Sequence, residues 1–130
     1  MKAWLATITL AAILTGYFPL PAHTADPKQP VLYHVVWFKF KPAASADQIK
    51  TVEDAFSALK TKIPGIDSYN WGTNISPEKK NKGFTHCFIL TFHSDKDRDT
   101  YLVHPEHKAF GKIVGPTLDD VAVIDFWSKQ

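Results

Sequence analysis

The sequence predicts one α+β domain, a ferredoxin-like βαββαβ sandwich in which helices cover one face of an antiparallel sheet. Three observations lead to this prediction. Four segments have the alternating pattern and the β-branched and aromatic composition of strands. Two segments between them have the apolar spacing of helices, and the order along the chain is strand, helix, strand, strand, helix, strand. A chain of 130 residues provides for one such domain.

The first 25 residues have the pattern of a secretory signal peptide. Lys2 is followed by the apolar run LATITLAAIL, and prolines and small residues come next. The run is shorter than the roughly 20 residues that span a bilayer, so we expect no stable membrane anchor. We therefore assign residues 1–25 to a signal peptide, 26–30 to a flexible linker and 31–128 to the domain. The mature protein would be periplasmic or secreted.

The first strand and the first helix have clear patterns. Residues 31–41, VLYHVVWFKFK, alternate as a strand does, and Pro42 ends them. Ser45 and Gln48 then form a capping-box pattern, and Pro64 and Gly65 end the helix. Apolar residues at steps of three and four form one stripe along this helix: Ile49, Val52, Phe56, Leu59 and Ile63.

The rest of the chain completes the pattern. Residues 66–75 and 84–94 are the second and third predicted strands, separated by the polar loop SPEKKNKG, and 121–127 are the last strand. Between the third and the last predicted strand, Pro105 cannot continue a helix, because it lacks an N–H and clashes with the preceding turn. It suits the first position of a new helix. We therefore predict two short helices, one ending near Val103 and one running from Pro105 to about Val114.

The sheet face turned away from the helices is also predicted to be apolar, and such a patch is rarely left in water. We expect a homodimer in which two sheets face each other. The interface residues would be Tyr33, Val35, Trp37, Ile89, Ile124 and Phe126. A net charge of +2 and one short basic loop do not indicate a nucleic-acid partner. The single cysteine, Cys87, cannot form an internal disulfide.

Four segments together resemble a known family: HVVWFKFKP, the Trp71-Gly72 pair, GFTHCF and YLVHPEH. They are similar to the Dabb family, the stress-responsive dimeric α/β-barrel domain, from about residue 34 to residue 126. The resemblance implies a ferredoxin-like monomer and a homodimer whose two sheets form a barrel. Most members have no assigned reaction. One plant member is a polyketide cyclase that uses an intramolecular aldol step and needs no metal or cofactor.

The resemblance to that cyclase implies site residues. Its catalytic tyrosine and histidine match Tyr101 and His107, and its further pocket histidines match His34 and His86. No cofactor is implied. The cyclase has two adjacent phenylalanines near the alkyl tail of its substrate, where this chain has "VE" at positions 52 and 53. This departure leaves the substrate open.

The residue pattern by itself places the same side chains together. His34, His86, His107 and Tyr101 all lie on predicted faces that look into the helix–sheet interior, where a polar side chain needs a partner. We predict that they line a pocket, with His34 and His86 on its floor. Besides those two histidines, the predicted substrate-binding residues are Val36, Phe38, Phe56, Phe88 and Phe110.

Three interpretations of these polar residues stay open. The pocket could bind or convert a small carbonyl compound, with His107 as general base and Tyr101 as hydrogen-bond donor. The histidines could instead form a satisfied network in a non-catalytic, stress-related binding protein or structural dimer. A metal site is the third interpretation, although no carboxylate or thiolate is evident beside the histidines. His104, just before Pro105, is predicted to cap the helix that follows.

Overall fold

The computed structural model describes residues 29–129, and within them the predicted element order is present. The predicted signal peptide and most of the predicted linker lie outside these residues. The elements are β1 (Leu32–Phe40), α1 (Ala46–Lys62), β2 (Ser68–Thr73), β3 (His86–Phe92), α2 (Asp95–Val103), α3 (Pro105–Val114), a 3-10 turn (Gly115–Thr117) and β4 (Leu118–Trp127). The four strands form one antiparallel sheet in the order β2-β3-β1-β4. This confirms the ferredoxin-like α+β fold.

The core lies between the helices and one face of the sheet, which we call the inner face. Alternate β1 side chains are buried there, and their β3 neighbours Phe88, Leu90 and Phe92 are completely buried. Four residues of the predicted stripe are buried here: Val52, Phe56 and Leu59 of α1, and Ile63 just after its end. The fifth, Ile49, is half-buried. The apolar side chains that alternate along the strands therefore pack against those that recur every three or four residues on α1, and together they form one apolar layer.

The first helix begins where the capping pattern predicts. The Ser45 side chain accepts a hydrogen bond from the Gln48 backbone, and the Gln48 side chain accepts one from the Ser45 backbone. The later helical segment is broken into α2 and α3 as expected, because His104 is extended, with φ −63° and ψ 139°. Pro105 is the first residue of α3, where its missing N–H costs nothing.

Some predicted boundaries were wrong. The last strand begins at Leu118 and not at Val121, because the 3-10 turn leads directly into it. The second strand is confined to Ser68–Thr73, and the third begins at His86. Lys82 and Gly83 have positive φ values of 50° and 86° in the loop before β3, and this turn delays the strand.

The opposite face of the sheet, which we call the outer face, is covered by no helix of residues 29–129. Tyr33 and Phe126 stack there with ring centroids 5.0 Å apart, and Ile124 and Phe126 are each about half exposed. The edge strand β4 also exposes Val121 and Val123, whose β1 partners Phe38 and Val36 face the helices. In the described part of the chain, no helix is long and apolar enough to cross a membrane.

Candidate functional site

Tyr101, His107 and His34 come together at one end of the core. The ring centroid of Tyr101 lies 4.5 Å from that of His107 and 5.5 Å from that of His34. Tyr101 is the last buried residue of α2, His107 lies in the first turn of α3, and His34 lies on the inner face of β1. The structure therefore brings together three of the four polar site residues that the sequence predicted.

The backbone of α2 determines which nitrogen of His107 carries a proton. Nδ1 lies 3.1 Å from the carbonyl oxygen of Leu102, and because a carbonyl only accepts, Nδ1 must donate. In neutral His107 the lone pair is therefore on Nε2. Burial lowers the pKa of His107, more than its hydrogen bond to Leu102 raises it, while His34 lowers it further. His107 is consequently a neutral base at neutral pH.

Tyr101 has the complementary property. Its ring is almost completely buried. Burial raises the pKa of its hydroxyl well above the usual value, and the nearby Tyr69 and Asp125 raise it further. The hydroxyl therefore keeps its proton at any physiological pH. A neutral base and a permanently protonated donor stand side by side, which is the pair that proton abstraction next to a carbonyl needs.

His34 is held by a carboxylate that the sequence did not lead us to expect. Its Nδ1 lies 2.6 Å from Asp125 Oδ1, and the other oxygen of Asp125 accepts a hydrogen bond of 2.6 Å from Arg98. Burial by itself would raise the pKa of Asp125, but the bonds from Arg98 and His34 outweigh it, and the pKa lies below its usual value. The carboxylate therefore stays charged and fixes His34 with Nδ1–H pointing to β4.

His86 lies elsewhere, and the prediction that it shares a pocket floor with His34 was wrong. His86 is paired in register with Phe38, and His34 with Leu90, so the two histidines are four positions apart along β1. At about 3.3 Å per residue this is roughly 13 Å. His86 contacts a second carboxylate: its Nε2 lies 3.0 Å from Glu53 Oε1. No carboxylate was predicted beside the histidines, and both Asp125 and Glu53 correct this expectation.

The predicted substrate-binding phenylalanines occupy the space between the two histidines. Phe56 lies with its ring centroid 4.4 Å from Phe88 and 4.7 Å from Phe110, and Phe38 lies 5.0 Å from Phe88. These rings, with Val36, are buried in one packed cluster. A ligand that reached from His107 towards His86 would have to move them apart. Their role in binding a substrate stays a prediction.

His104 caps α3, as predicted, since its Nδ1 accepts a hydrogen bond of 3.2 Å from the backbone N–H of Glu106. His104 caps α3, and His34 lies far from His86. The histidines therefore do not direct their nitrogens at one common point, as a metal site would need. Across residues 29–129, no group of three or more His, Cys, Asp or Glu side chains is placed to hold a metal ion.

A cavity of about 820 Å³ lies away from Tyr101 and His107, at the β2–β3 side of the sheet. The loop between these strands forms one wall of it. Its apolar lining includes Trp37, Phe84 and Ile89, and its polar lining includes Thr85, Asn81 and Lys82. Trp37 donates a hydrogen bond of 3.1 Å from its indole nitrogen to Cys87 Sγ in the same region. This cavity was not predicted from the sequence.

Comparison with known proteins places this chain in a family. The model of the Dabb family, the stress responsive A/B barrel domain, matches residues 32–128. The chain belongs to this family. The match covers all four strands and three helices described above, and it confirms the resemblance that the four sequence segments indicated.

Two curated relatives are similar over most of the Dabb domain. The stress-response A/B barrel domain-containing protein HS1 of Arabidopsis thaliana is 34% identical over 93 residues, which are 72% of this chain and 85% of that protein. Olivetolic acid cyclase of Cannabis sativa is 26% identical over 97 residues, which are 75% of this chain and 96% of that protein.

Solved structures agree with the fold. Hydroxynitrile lyase from Passiflora edulis superposes with a TM-score of 0.74 at 26% identity, over 78% of this chain and 96% of that one. A protein from Jannaschia sp., described as dimeric and ferredoxin-like, superposes with a TM-score of 0.66 at 26% identity, over 74% of this chain and 97% of that one. The proteins similar to this chain thus include one named as a cyclase and one named as a lyase.

Proposed function

We propose that this Dabb protein is a cofactor-independent enzyme of the cyclase or lyase type that acts on a small carbonyl compound. The observation that carries the proposal is the pairing of His107 with Tyr101. The bond from Nδ1 to Leu102 leaves Nε2 of His107 as an acceptor, and the Tyr101 ring lies 4.5 Å away. A base and an acid are therefore next to each other in a part of the core where water is restricted.

In the proposed reaction, His107 Nε2 removes a proton from the carbon next to a carbonyl group. In a cyanohydrin it removes the hydroxyl proton instead; the C–O bond becomes a carbonyl, the C–C bond to cyanide breaks, and the cyanide takes the proton from His107. Negative charge then develops on oxygen, and the Tyr101 hydroxyl stabilises it by donating a hydrogen bond. His34 does not react. Its ring packs edge-on against Tyr101 at 5.5 Å, and Asp125 holds it there. The names of the cyclase and lyase relatives support this class of reaction.

The test measures proton abstraction without knowledge of the natural substrate. Pentane-2,4-dione in D2O reports exchange at the carbon between two carbonyls by NMR, and mandelonitrile reports lyase cleavage by release of benzaldehyde. We expect His107→Ala to lower either rate by about 10²-fold or more, since general bases contribute about 10²–10⁴-fold. Tyr101→Phe should lower it less. His93→Ala removes an exposed histidine as the matched control. Rates that are equal in all four proteins, or equal to buffer, would refute the proposal.

A non-catalytic role is the alternative, and one observation favours it. Both His34 and His86 are buried, and each has a carboxylate within 3.0 Å. Histidines whose ring nitrogens are hydrogen-bonded in this way stabilise a fold without reacting, as expected in a stress-related binding or structural protein. In that case His107→Ala would lower the free energy of unfolding by about 1–3 kcal/mol and would change neither probe reaction.

We also infer that two copies associate through the outer face. The apolar side chains there, among them Ile124 and Phe126, are half exposed in one chain, and the Jannaschia relative is described as dimeric. Val35→Asp would place a charge in this interface, and light scattering should then detect monomers or aggregates. A wild-type protein that is monomeric at micromolar concentration would contradict the inference. Tyr33, Trp37 and Ile89 are the other proposed contacts.

We propose, finally, that residues 1–25 direct export. The lysine and the apolar run that follows it support this proposal. Mass spectrometry of the protein recovered from the periplasm or the medium should find a new N-terminus near residue 23 or 26. Intact Met1 on most molecules would contradict it.

A further inference from the structure

Arg98 connects helix α2 to the last strand and, through that strand, to the site described above. Its Nη1 donates a hydrogen bond of 2.6 Å to Asp125 Oδ2, and the other oxygen of Asp125 lies 2.6 Å from His34 Nδ1. His34 in turn packs edge-on against Tyr101. Because Arg98 and Tyr101 lie three residues apart on α2, these contacts form a closed chain that runs from α2 to β4, to β1 and back to α2.

Within residues 29–129, helix α2 buries a single side chain. Its sequence, DKDRDTYLV, is mostly polar, and Tyr101 is its one buried residue. Leu102 and Val103, which follow, are exposed. A helix in a globular protein is held mainly by the packing of an apolar face, which α2 lacks. The bond between Arg98 and Asp125 therefore gives α2 a second side-chain attachment to the sheet, about one turn from Tyr101.

The guanidinium of Arg98 is fixed in place by three carboxylates. Nε lies 2.7 Å from Asp99 and Nη2 lies 3.4 Å from Asp95, both on α2, while Nη1 reaches across to Asp125. The planar fork of an arginine can contact all three, whereas the ammonium of a lysine acts as a point charge. Three carboxylates already neutralise this charge, so Arg98 is poorly suited to bind an anionic substrate. Its contacts are those of a residue that holds others in position.

We propose that Arg98 is a positioning residue for the proposed carbonyl reaction and holds the Tyr101 ring in place beside His107. It fixes α2 to β4 by holding Asp125 Oδ2, and it thereby directs Oδ1 to His34. Both effects fix the Tyr101 ring, whose centroid lies 4.5 Å from that of His107. The effect of Arg98 on the reaction rate rests on the proposed function, whereas its effect on the position of Tyr101 does not.

The first measurement needs no substrate. Arg98→Gln removes the charge and the fork but keeps a polar side chain. In the full chain, we expect amide hydrogen exchange in α2 to become at least about tenfold faster than in wild type, while α1 changes little, because α2 opens locally without its second attachment. The NOE between the rings of Tyr101 and His107 should weaken as well. Arg98→Lys keeps the charge without the fork, and both results should lie between those of Arg98→Gln and wild type.

Two control variants match this change. Asp99→Ala removes a partner of Arg98 on the same helix and leaves the bond to Asp125 in place. Lys62→Gln breaks a different bond between two elements, the one of 3.0 Å from Lys62 to Glu106 of α3. Both variants should have the amide exchange of wild type in α2 and the wild-type NOE.

The second measurement is the exchange of pentane-2,4-dione in D2O. We expect Arg98→Gln to lower kcat at least about tenfold, since a misplacement of about 1 Å can lower a rate by about 10²-fold. KM should stay within about twofold of the wild-type value, because Arg98 does not touch the substrate. Arg98→Lys should recover part of the loss in kcat. Circular dichroism of each variant shows whether the fold is retained.

The two measurements separate this inference from the proposed function. If wild type exchanges no proton of the dione, the proposed function fails, and the NOE and the amide exchange still decide whether Arg98 positions Tyr101. The inference is wrong if both are the same in Arg98→Gln as in wild type, or if either control variant changes them as much. It is also wrong if an active wild type and Arg98→Gln have the same kcat.

Discussion

Asp125→Ala should destabilise the fold far more than its place on an edge strand suggests. The carboxylate is about a quarter exposed, but its partner His34 is only 4% exposed. Removal of the carboxylate leaves the Nδ1–H of His34 without its acceptor at 2.6 Å inside the core. A buried donor that loses its partner keeps the full cost of its desolvation.

The magnitude follows from the two bonds that are lost. The bond between His34 and a charged partner contributes about 1.5–3 kcal/mol. Arg98 still forms a salt bridge with Asp99 at 2.7 Å in this variant. The loss of its bond to Asp125 therefore adds at most about 1 kcal/mol. We expect a total of about 2–4 kcal/mol. For a domain of roughly 100 residues each kcal/mol corresponds to about 4–8 °C, so Tm should fall by at least about 8 °C.

Urea denaturation followed by tryptophan fluorescence measures this loss, and pH gives a second test. The pKa of Asp125 is lower in the folded than in the unfolded chain, so its contribution is present above the usual value of 3.8 and is lost as pH falls through the folded pKa. The difference between wild type and Asp125→Ala should therefore be full at pH 5 and should shrink below about pH 3.8. Asp125→Asn keeps an acceptor for His34 and should lose less than the alanine variant.

Asp119→Ala is the matched control on the same strand. Asp119 is paired with Lys39 at 2.7 Å, but both side chains are more than a third exposed, so its removal should cost less than about 1 kcal/mol. If Asp125→Ala lowers the free energy of unfolding by no more than Asp119→Ala does, the pairing of Asp125 with His34 does not stabilise the fold and the reasoning is wrong.

Three further predictions concern the same core. His104→Ala removes the cap of α3 and should cost about 0.5–2 kcal/mol in thermal unfolding, whereas His93→Ala should be nearly neutral. Phe88→Ala, at a fully buried position, should cost about 3–5 kcal/mol in urea denaturation; a cost below 1 kcal/mol would show a loose core. Since burial lowers the pKa of His107, the proton-exchange rate should rise with pH below about 6.5 and be flat above it; a rise that continues to pH 8 would exclude His107 as the base.

The sequence was sufficient to predict the fold because each element carries its own periodic signal. Alternation on β1 and β3, the stripe on α1 and the break at Pro105 are local, and the order of elements restricts the topology. The predicted face of each histidine on a strand was also right, since Cβ direction alternates along a strand. Both His34 and His86 are buried on the inner face.

The partners of these histidines could not be predicted, because they depend on register. Asp125 is opposite His34 only because β4 pairs with β1 in one alignment among several. Asp125 is nevertheless the one charged residue within VAVIDFW. This indicates that it is paired, since a charge in an apolar strand usually has a partner. Glu53 follows Val52 of the apolar stripe by one residue, or about 100° around the helix, and so lies at the border of the buried face.

The break between α2 and α3 is what makes Tyr101 and His107 neighbours. In one continuous helix, six residues would place them about 9 Å apart along the axis and about 120° apart around it. The extended conformation of His104 turns α3 back, and the two ring centroids lie 4.5 Å apart. His104 accepts a bond from Glu106 at the start of α3 and donates its backbone N–H to the carbonyl of Tyr101 at the end of α2. The segment HPEH therefore has a structural role that the proposed chemistry requires: His104 and Pro105 create the bend, and the bend brings His107 to Tyr101.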